Sequence, residues 1–234
     1  MLDLGGPVAF ADRACYFSDA DALVLADLHV GRGEASNVDL PLGERADLDD
    51  RLRALLDSFS PATVVFAGDV LHTFSTATDR ARETVDGLAN ACRSRGASVV
   101  AVAGNHDTML GTVWDGRVRD EHRLSDGTLV CHGHAEPDAT APRYVVGHDH
   151  PAIEIEGRRH PCLLYGEEVY RGGDLFVLPA FSPLAPGVVV NHMAASDFDS
   201  PLVRRTDALC PVVEDEDAGE GLAFPPLGEF RRLL

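Results

Sequence analysis

The sequence predicts an α/β fold in which mixed sheets pack together with helices outside. Three observations carry the prediction. Valine-rich runs alternate with helix-like stripes in the first half, short strand-like runs crowd the second half, and metal-binding residue types stand at the ends of the runs.

The first strands are ALVLA at 22–26, TVVFA at 63–67 and SVVAVA at 98–103. Each is a continuous apolar run bounded by loop residues, the pattern of a strand buried on both faces. Between the first two, Leu48, Leu52, Leu55, Leu56 and Phe59 recur at helical spacing, and Pro61 stops the helix. Between the second and third, Thr76 with Asp79 reads as a capping box. Ala81, Val85, Leu88 and Cys92 form the apolar stripe, and Gly96 ends the helix. Strand, helix, strand, helix, strand implies parallel crossovers. After about residue 113 the runs TLVCH, RYVVGH, AIEIEG, CLLYG, DLFVLPA and GVVVNHM read as short strands, with SDG and EGRR as turns. The segment VVEDEDAGEG at 212–221 is acidic and glycine-bearing, which predicts a surface loop before a short C-terminal segment. A chain of 234 residues is expected to form one domain, 1–234, with its core at about 20–192.

Composition narrows the function classes. No apolar run approaches the length of a bilayer span, and no charged start leads into an apolar leader segment, so the expected location is the cytoplasm. Cys15, Cys92, Cys131, Cys162 and Cys210 are scattered and odd in number, which argues against a disulfide framework or a zinc ribbon. The 38 acidic residues outnumber 20 basic ones for a net charge of -18, and every basic residue is arginine. Such a surface repels polyanions in dilute buffer, yet suits multimolar salt, where the screening length falls to about 3 Å at 1 M. A halophilic source is the expectation. Codon bias explains arginine in place of lysine but not the acidic excess. A nucleic-acid substrate therefore stays open, with local arginines making the phosphate contacts.

Five runs end at residues able to bind a metal. ALVLA leads into Asp27 and His29, TVVFA into Asp69, SVVAVA into Asn105, His106 and Asp107, TLVC into His132, and RYVVG into His148, Asp149 and His150. The carboxyl ends of parallel strands are where open α/β sheets bind ligands, so these donors can share one crevice. In an extended segment His148 and His150 would face the same way. Taken singly, Asp27, Asp69 and Asn105 read equally well as turn formers, and His132 as a hydrogen-bonded histidine at the core edge. Their joint order, each at a strand end, is what points to a metal cluster.

The stretches ADLHVGRG, AGDVLHTF, AGNHD, VCHGH and VVGHDHP resemble the signature of calcineurin-like metallophosphoesterases. GHDHP and LPAFSPL at 178–184 are similar to the small SbcD-related and DNA-ligase-associated branch. The resemblance spans about residues 20–192 and implies a four-layer α/β/β/α sandwich of two mixed sheets. It implies that Asp27, His29, Asp69 and His150 hold one metal while Asp69, Asn105, His132 and His148 hold the other, Asp69 bridging. A bridging carboxylate offsets repulsion between cations about 3.5 to 4 Å apart. Imidazole, carboxylate and amide oxygen without thiolate suit two divalent ions, manganese first, with iron or zinc as alternatives. Two such ions lower the pKa of a shared water, so the nucleophile comes from solvent rather than from a side chain.

The resemblance also gives His106 the family role of stabilising or protonating the leaving oxygen, with Asp107 orienting it or holding its proton. His72 completes the G-D-x-x-H of the nuclease-like branch, in which this histidine approaches the scissile phosphate. Arg32 is a candidate phosphate contact. His122, His160 and His192 read as structural, and His134 as a residue to test. The leading function is a metal-dependent phosphodiesterase, which the resemblance implies to be a DNA nuclease or repair-associated enzyme with repair partners, and without a membrane partner. A phosphomonoesterase or small-nucleotide hydrolase is the alternative, and a non-catalytic binding module is the reading from another class.

Overall fold

A computed structural model describes residues 2–3, 7–35, 43–72, 77–215 and 220–232. The first sheet is built from β1 (Leu2–Asp3), β2 (Val8–Ala11), β3 (Ala14–Phe17), β4 (Ala22–Leu25), β5 (Thr63–Ala67), β6 (Ser98–Val102) and β7 (Val118–Arg119), in that spatial order. Pairing is antiparallel from β1 to β4 and parallel from β4 to β7. The segments α1 (Arg32–Ala35), α2 (Glu44–Phe59), α3 (Asp79–Ser94) and α4 (Leu110–Val113) fall between strands of this sheet.

The second sheet contains β8 (Glu121–Arg123), β9 (Leu129–Cys131), β10 (Arg143–Val146), β11 (Pro151–Ile155), β12 (Arg158–Tyr170), β13 (Gly173–Val177) and β14 (Val188–Val189). Its order is β14-β11-β12-β13-β10-β9-β8, and β9, β10 and β13 run parallel. A hairpin of β15 (Cys210–Asp215) and β16 (Glu220–Ala223) joins it through β12, followed by α5 (Leu227–Phe230).

Side-chain alternation along the strands creates three separate cores. In β4, Leu23 and Leu25 pack against Leu48, Leu52, Val85 and Leu88 of α2 and α3. Val24 points the other way, to a cluster shared with Phe10, Phe17 and Val65 from the first sheet and Val130, Val145, Leu163 and Phe176 from the second. In the second sheet the neighbours Tyr144, Val146, Leu164, Leu175 and Val177 turn outward to Phe198, Leu202, Val203, Leu209, Leu227 and Phe230. Three interfaces require four layers, and the continuous apolar runs are continuous because both faces of each strand are covered. The outermost layer on the second sheet is made of α5, 3-10 turns and irregular chain rather than long helices.

Several sequence expectations need correction. Residues before 20 are not outside the core: β2 and β3 place Phe10, Cys15 and Phe17 between the sheets. The acidic segment 212–221 is not simply a loop, because Val212 and Val213 are buried in β15 and pair with Ala223 and Leu222 of β16; residues 216–219 lie outside the described residues. The cap of α3 is Thr78, whose side chain accepts the Ala81 N–H at 3.0 Å, whereas Thr76 lies outside the described residues. Of GVVVNHM only Val188 and Val189 form a strand. All five cysteines are free thiols. Among the described residues no helix is long and apolar enough to cross a membrane.

Candidate metal centre

Three of the five metal-binding motifs begin where their strand ends in a left-handed turn. Asp27, His29, Asp69, His148 and His150 have φ of 56°, 46°, 47°, 72° and 45°. Such conformations cost non-glycine residues about 1–3 kcal/mol each and persist only where the surroundings enforce them. Here the enforcement is a zipper of backbone bonds between the first two motifs: Asp27 N–H to Gly68 C=O at 3.1 Å, His29 N–H to Asp69 C=O at 2.9 Å, and Val30 N–H to Val70 C=O at 2.9 Å. The fifth motif docks on the first through the His148 N–H, which donates to Asp27 Oδ2 at 3.0 Å. The segment LPAFSPL runs beside it, with Phe181 and Ser182 N–H groups on the Ala26 and Asp27 carbonyls.

The donors converge. His150 Nε2 lies 3.2 Å from Asp27 Oδ1 and 3.2 Å from His29 Nε2. His132 Nε2 lies 3.0 Å from Asn105 Oδ1, 3.4 Å from Asp69 Oδ1 and 3.2 Å from His148 Nδ1. Two sets have ligand atoms within 4.8 Å of one another: Asp27, His29 and His150, and Asp27, Asp69 and His132. Asp27 is common to both sets. His148 and His150 do not face the same way, as an extended segment would have required. Their left-handed turns send His148 to His132 and His150 to His29.

Three glycines that sequence reasoning passed over make this convergence sterically possible. A Cβ on Gly68 would lie 2.3 Å from His132 Nδ1, one on Gly104 would lie 2.0 Å from Asp69 Oδ1, and one on Gly147 would lie 2.3 Å from Asp27 Oδ2. Each motif's glycine leaves the space that another motif's ligand fills. The signal was present in the chain as glycine preceding Asp69, Asn105 and His148.

Asp27, His29, Asp69 and His132 are all at most 2% exposed. Burial works against charge on Asp27, but facing His150, His132 and His29 outweighs it and holds the carboxyl down at about 2. Burial and the neighbouring Asp27 push Asp69 up to about 8. Burial depresses His29 to about 3 and His132 to about 4, so both are neutral and ready to ligate at pH 7. His150 is raised, burial being overcome by Asp27. Asp27 Oδ1 is buried without a well-formed hydrogen bond. Two buried acidic side chains, the neutral imidazoles of His29 and His132 and an orphaned oxygen are a donor set that divalent cations fit.

Around these donors, His106 and His72 stack in parallel with centroids 6.2 Å apart, each edge-on to His29 at 5.7 and 5.6 Å. His106 Nε2 is 3.9 Å from Asp69 Oδ2, and its backbone N–H donates to Asp69 Oδ1 at 2.9 Å. Asp107 is the residue expected to orient His106 or hold its proton. Its carboxylate accepts the N–H groups of Val70, Leu71 and Gly104 at 3.2, 2.9 and 2.9 Å, tying the second and third motifs together. The charge of Arg32 acts on His29, His72 and His150. His134 is exposed, with its ring 5.3 Å from that of His132. His122 bonds Arg119, while His160 stands on β12 and His192 is exposed beyond β14.

The family model for calcineurin-like phosphoesterases matches residues 21–204. Among solved structures the chain is similar to a nuclease MPE from Pseudomonas putida at 23% identity and a TM-score of 0.66, over 91% of this chain and 94% of that one. It is also similar to Yfce, a phosphoesterase from E. coli, at 16% identity and a TM-score of 0.43, over 84% of this chain and 88% of that one. No curated protein sequence matches it. With the fold, the ordered motifs and the match in agreement, the chain belongs to the calcineurin-like phosphoesterases and is a hydrolase of phosphoester bonds.

Proposed function

We propose that the protein is a dinuclear-metal phosphodiesterase, with nucleic acid as its substrate class. Asp27, His29, Asp69 and His150 would hold one divalent ion and Asp69, Asn105, His132 and His148 the other, with Asp69 between them. The observation that carries the reading is the meeting of five motifs within hydrogen-bond distance of one another, from Asp27 Oδ1 and His150 Nε2 at 3.2 Å to Asn105 Oδ1 and His132 Nε2 at 3.0 Å. Two divalent ions, manganese first and iron or zinc second, supply when bound an ionised water at neutral pH and charge neutralisation at the phosphoryl oxygens.

The chain's own groups do the rest. Arg32 contacts a phosphate oxygen at the mouth of the site, and the left-handed turns hold the ligand atoms in place before substrate arrives. His106 delivers a proton from its imidazole to the departing oxygen. His72, neutral because burial, Arg32 and His106 lower its pKa, stands beside His106 on the substrate side. Asp107 positions these loops and touches no substrate. Likeness in fold to the Pseudomonas putida nuclease supports nucleic acid, and the SbcD-related motifs support a place in the repair-associated branch.

Bis- and mono-nitrophenyl phosphates with added manganese test the reading. Higher kcat/KM on the diester, lost in Asn105→Ala, is expected; preference for the monoester would replace the diesterase by a monoesterase. Absence of turnover on every ester, metal and salt would leave the binding module.

A further inference from the structure

A cleft of about 710 Å³ opens beside the Asn105 and His132 side of the centre. That volume falls within the range of about 300–1,000 Å³ that takes a nucleotide-sized group. Its walls include Gly104, Arg117, Arg119, His132, His134 and Glu136, so it shares Gly104 and His132 with the metal centre itself. Nothing in the proposed hydrolysis uses it.

The arginines make the cleft specific. In a chain with 38 acidic residues, most arginines with an exposed head would be expected to find a carboxylate. Among the described residues Arg117, which is exposed, has no ion pair or side-chain hydrogen bond. Arg119 meets only His122, at 3.2 Å. Glu136, the carboxylate on the facing loop, is already neutralised by Arg171 at 2.7 Å and by Arg204. The cleft is not basic throughout, because Asp120, Glu121 and Asp138 also line it. A long polyanion would be repelled there, as it would be by the net charge of -18. One phosphate placed between Arg117 and Arg119 would be held by charge-assisted bonds, the geometry for which guanidinium is suited.

We propose that this cleft is a flanking-phosphate subsite: it seats the nucleotide next to the scissile bond and reads its second phosphate through Arg117 and Arg119. The proposal rests on the phosphodiesterase reading and sharpens it to short or terminal nucleic-acid segments rather than long duplex. The carboxylates of the cleft set that preference by limiting how many phosphates it accepts.

The test uses the full chain loaded with manganese and four diesters: bis-nitrophenyl phosphate, the dinucleotide TpT, and TpT carrying an added phosphate at its 5′ or its 3′ end. The wild type is expected to prefer one of the phosphorylated forms over TpT by about tenfold in kcat/KM, expressed in KM. This is the scale of one charge-assisted phosphate contact. Arg117→Ala combined with Arg119→Ala reduces that preference to twofold or less, and Arg117→Glu inverts it. Equal rates on all three dinucleotides in the wild type, or an unchanged preference in the double variant, overturn the subsite while turnover of bis-nitrophenyl phosphate keeps the phosphodiesterase. No turnover of any diester overturns both.

Discussion

Replacing Gly104 by alanine adds one methyl group, and the structure places it 2.0 Å from Asp69 Oδ1 and 2.3 Å from the Asp69 backbone nitrogen. Ordinary contact begins at 3.4 Å, so the two loops must part. Neither can yield freely: the His106 N–H holds Asp69 Oδ1 at 2.9 Å, and the Gly104 N–H is held by Asp107 Oδ2 at 2.9 Å. Overpacking of this kind costs about 1–3 kcal/mol. At about 2–4 °C per kcal/mol for a chain of this size, the melting temperature falls by roughly 2–12 °C. Activity falls much further, because displacement of a ligand by about 1 Å costs on the order of a hundredfold. Gly111→Ala is the control, since a Cβ there meets nothing within 4 Å. Circular-dichroism melts, metal analysis and kcat/KM on bis-nitrophenyl phosphate read the three consequences. A folded Gly104→Ala protein with full metal content and kcat/KM within threefold of wild type would refute the interlocking of glycines and ligands.

His106→Ala is expected to keep its metals and lose about 10²–10⁴ in kcat, the range for a positioned proton donor, with less loss on substrates whose leaving group needs no proton. Because Asp69 stands at about 8 without cations and His150 is raised as well, manganese must displace protons to bind at neutral pH; calorimetry at pH 7 in buffers of different ionisation enthalpy should show net proton release, and affinity rising with pH up to about 8. The raised pKa of Asp69 contributes stability to the metal-free fold that is lost as pH rises from the ordinary carboxyl value of 3.8 to about 8, while neutral His29 and His132 oppose the loss up to about their ordinary value of 6.5; metal-free melts should therefore fall between pH 7 and 8 and level off above, and manganese should reverse the loss. A net charge of -18 predicts a higher melting temperature in multimolar than in dilute potassium chloride; the opposite order would remove the halophilic reading.

Much of this architecture is legible in the chain because runs such as TVVFA are apolar on both faces, and Val64 and Phe66 do face the helices while Val65 faces the other sheet. Leu48, Leu52, Leu55 and Leu56 form the buried stripe of α2 as their spacing requires. What escaped has physical reasons. VAFA and ACYF are four-residue strands whose identity depends on pairing with each other and with β4, which no local periodicity reveals. The acidic hairpin carries only two core valines before its charges begin. The outer layer draws Phe198, Leu202 and Leu209 from irregular chain and Leu227 and Phe230 from the single turn of α5, segments too short or irregular for burial to leave a repeating pattern.

The centre divides in the same way. Residue types at strand ends singled out the side chains that the structure brings together, since convergence follows from topology. The direction of each side chain did not, because left-handed turns at His148 and His150 are set by the backbone zipper and by Asp27. Asp107 shows the limit most clearly. Its neighbour His106 suggested a proton partner, while its oxygens accept backbone N–H groups of Val70 and Leu71 from a distant motif and of Gly104 from its own.

Anomalous diffraction from crystals grown with manganese bears most directly on the whole account. Two peaks are expected in each chain, one against Asp27, His29 and His150 and one against Asn105, His132 and His148, with Asp69 between them. A single peak, or peaks elsewhere on the acidic surface while these seven side chains keep their present positions, would contradict it.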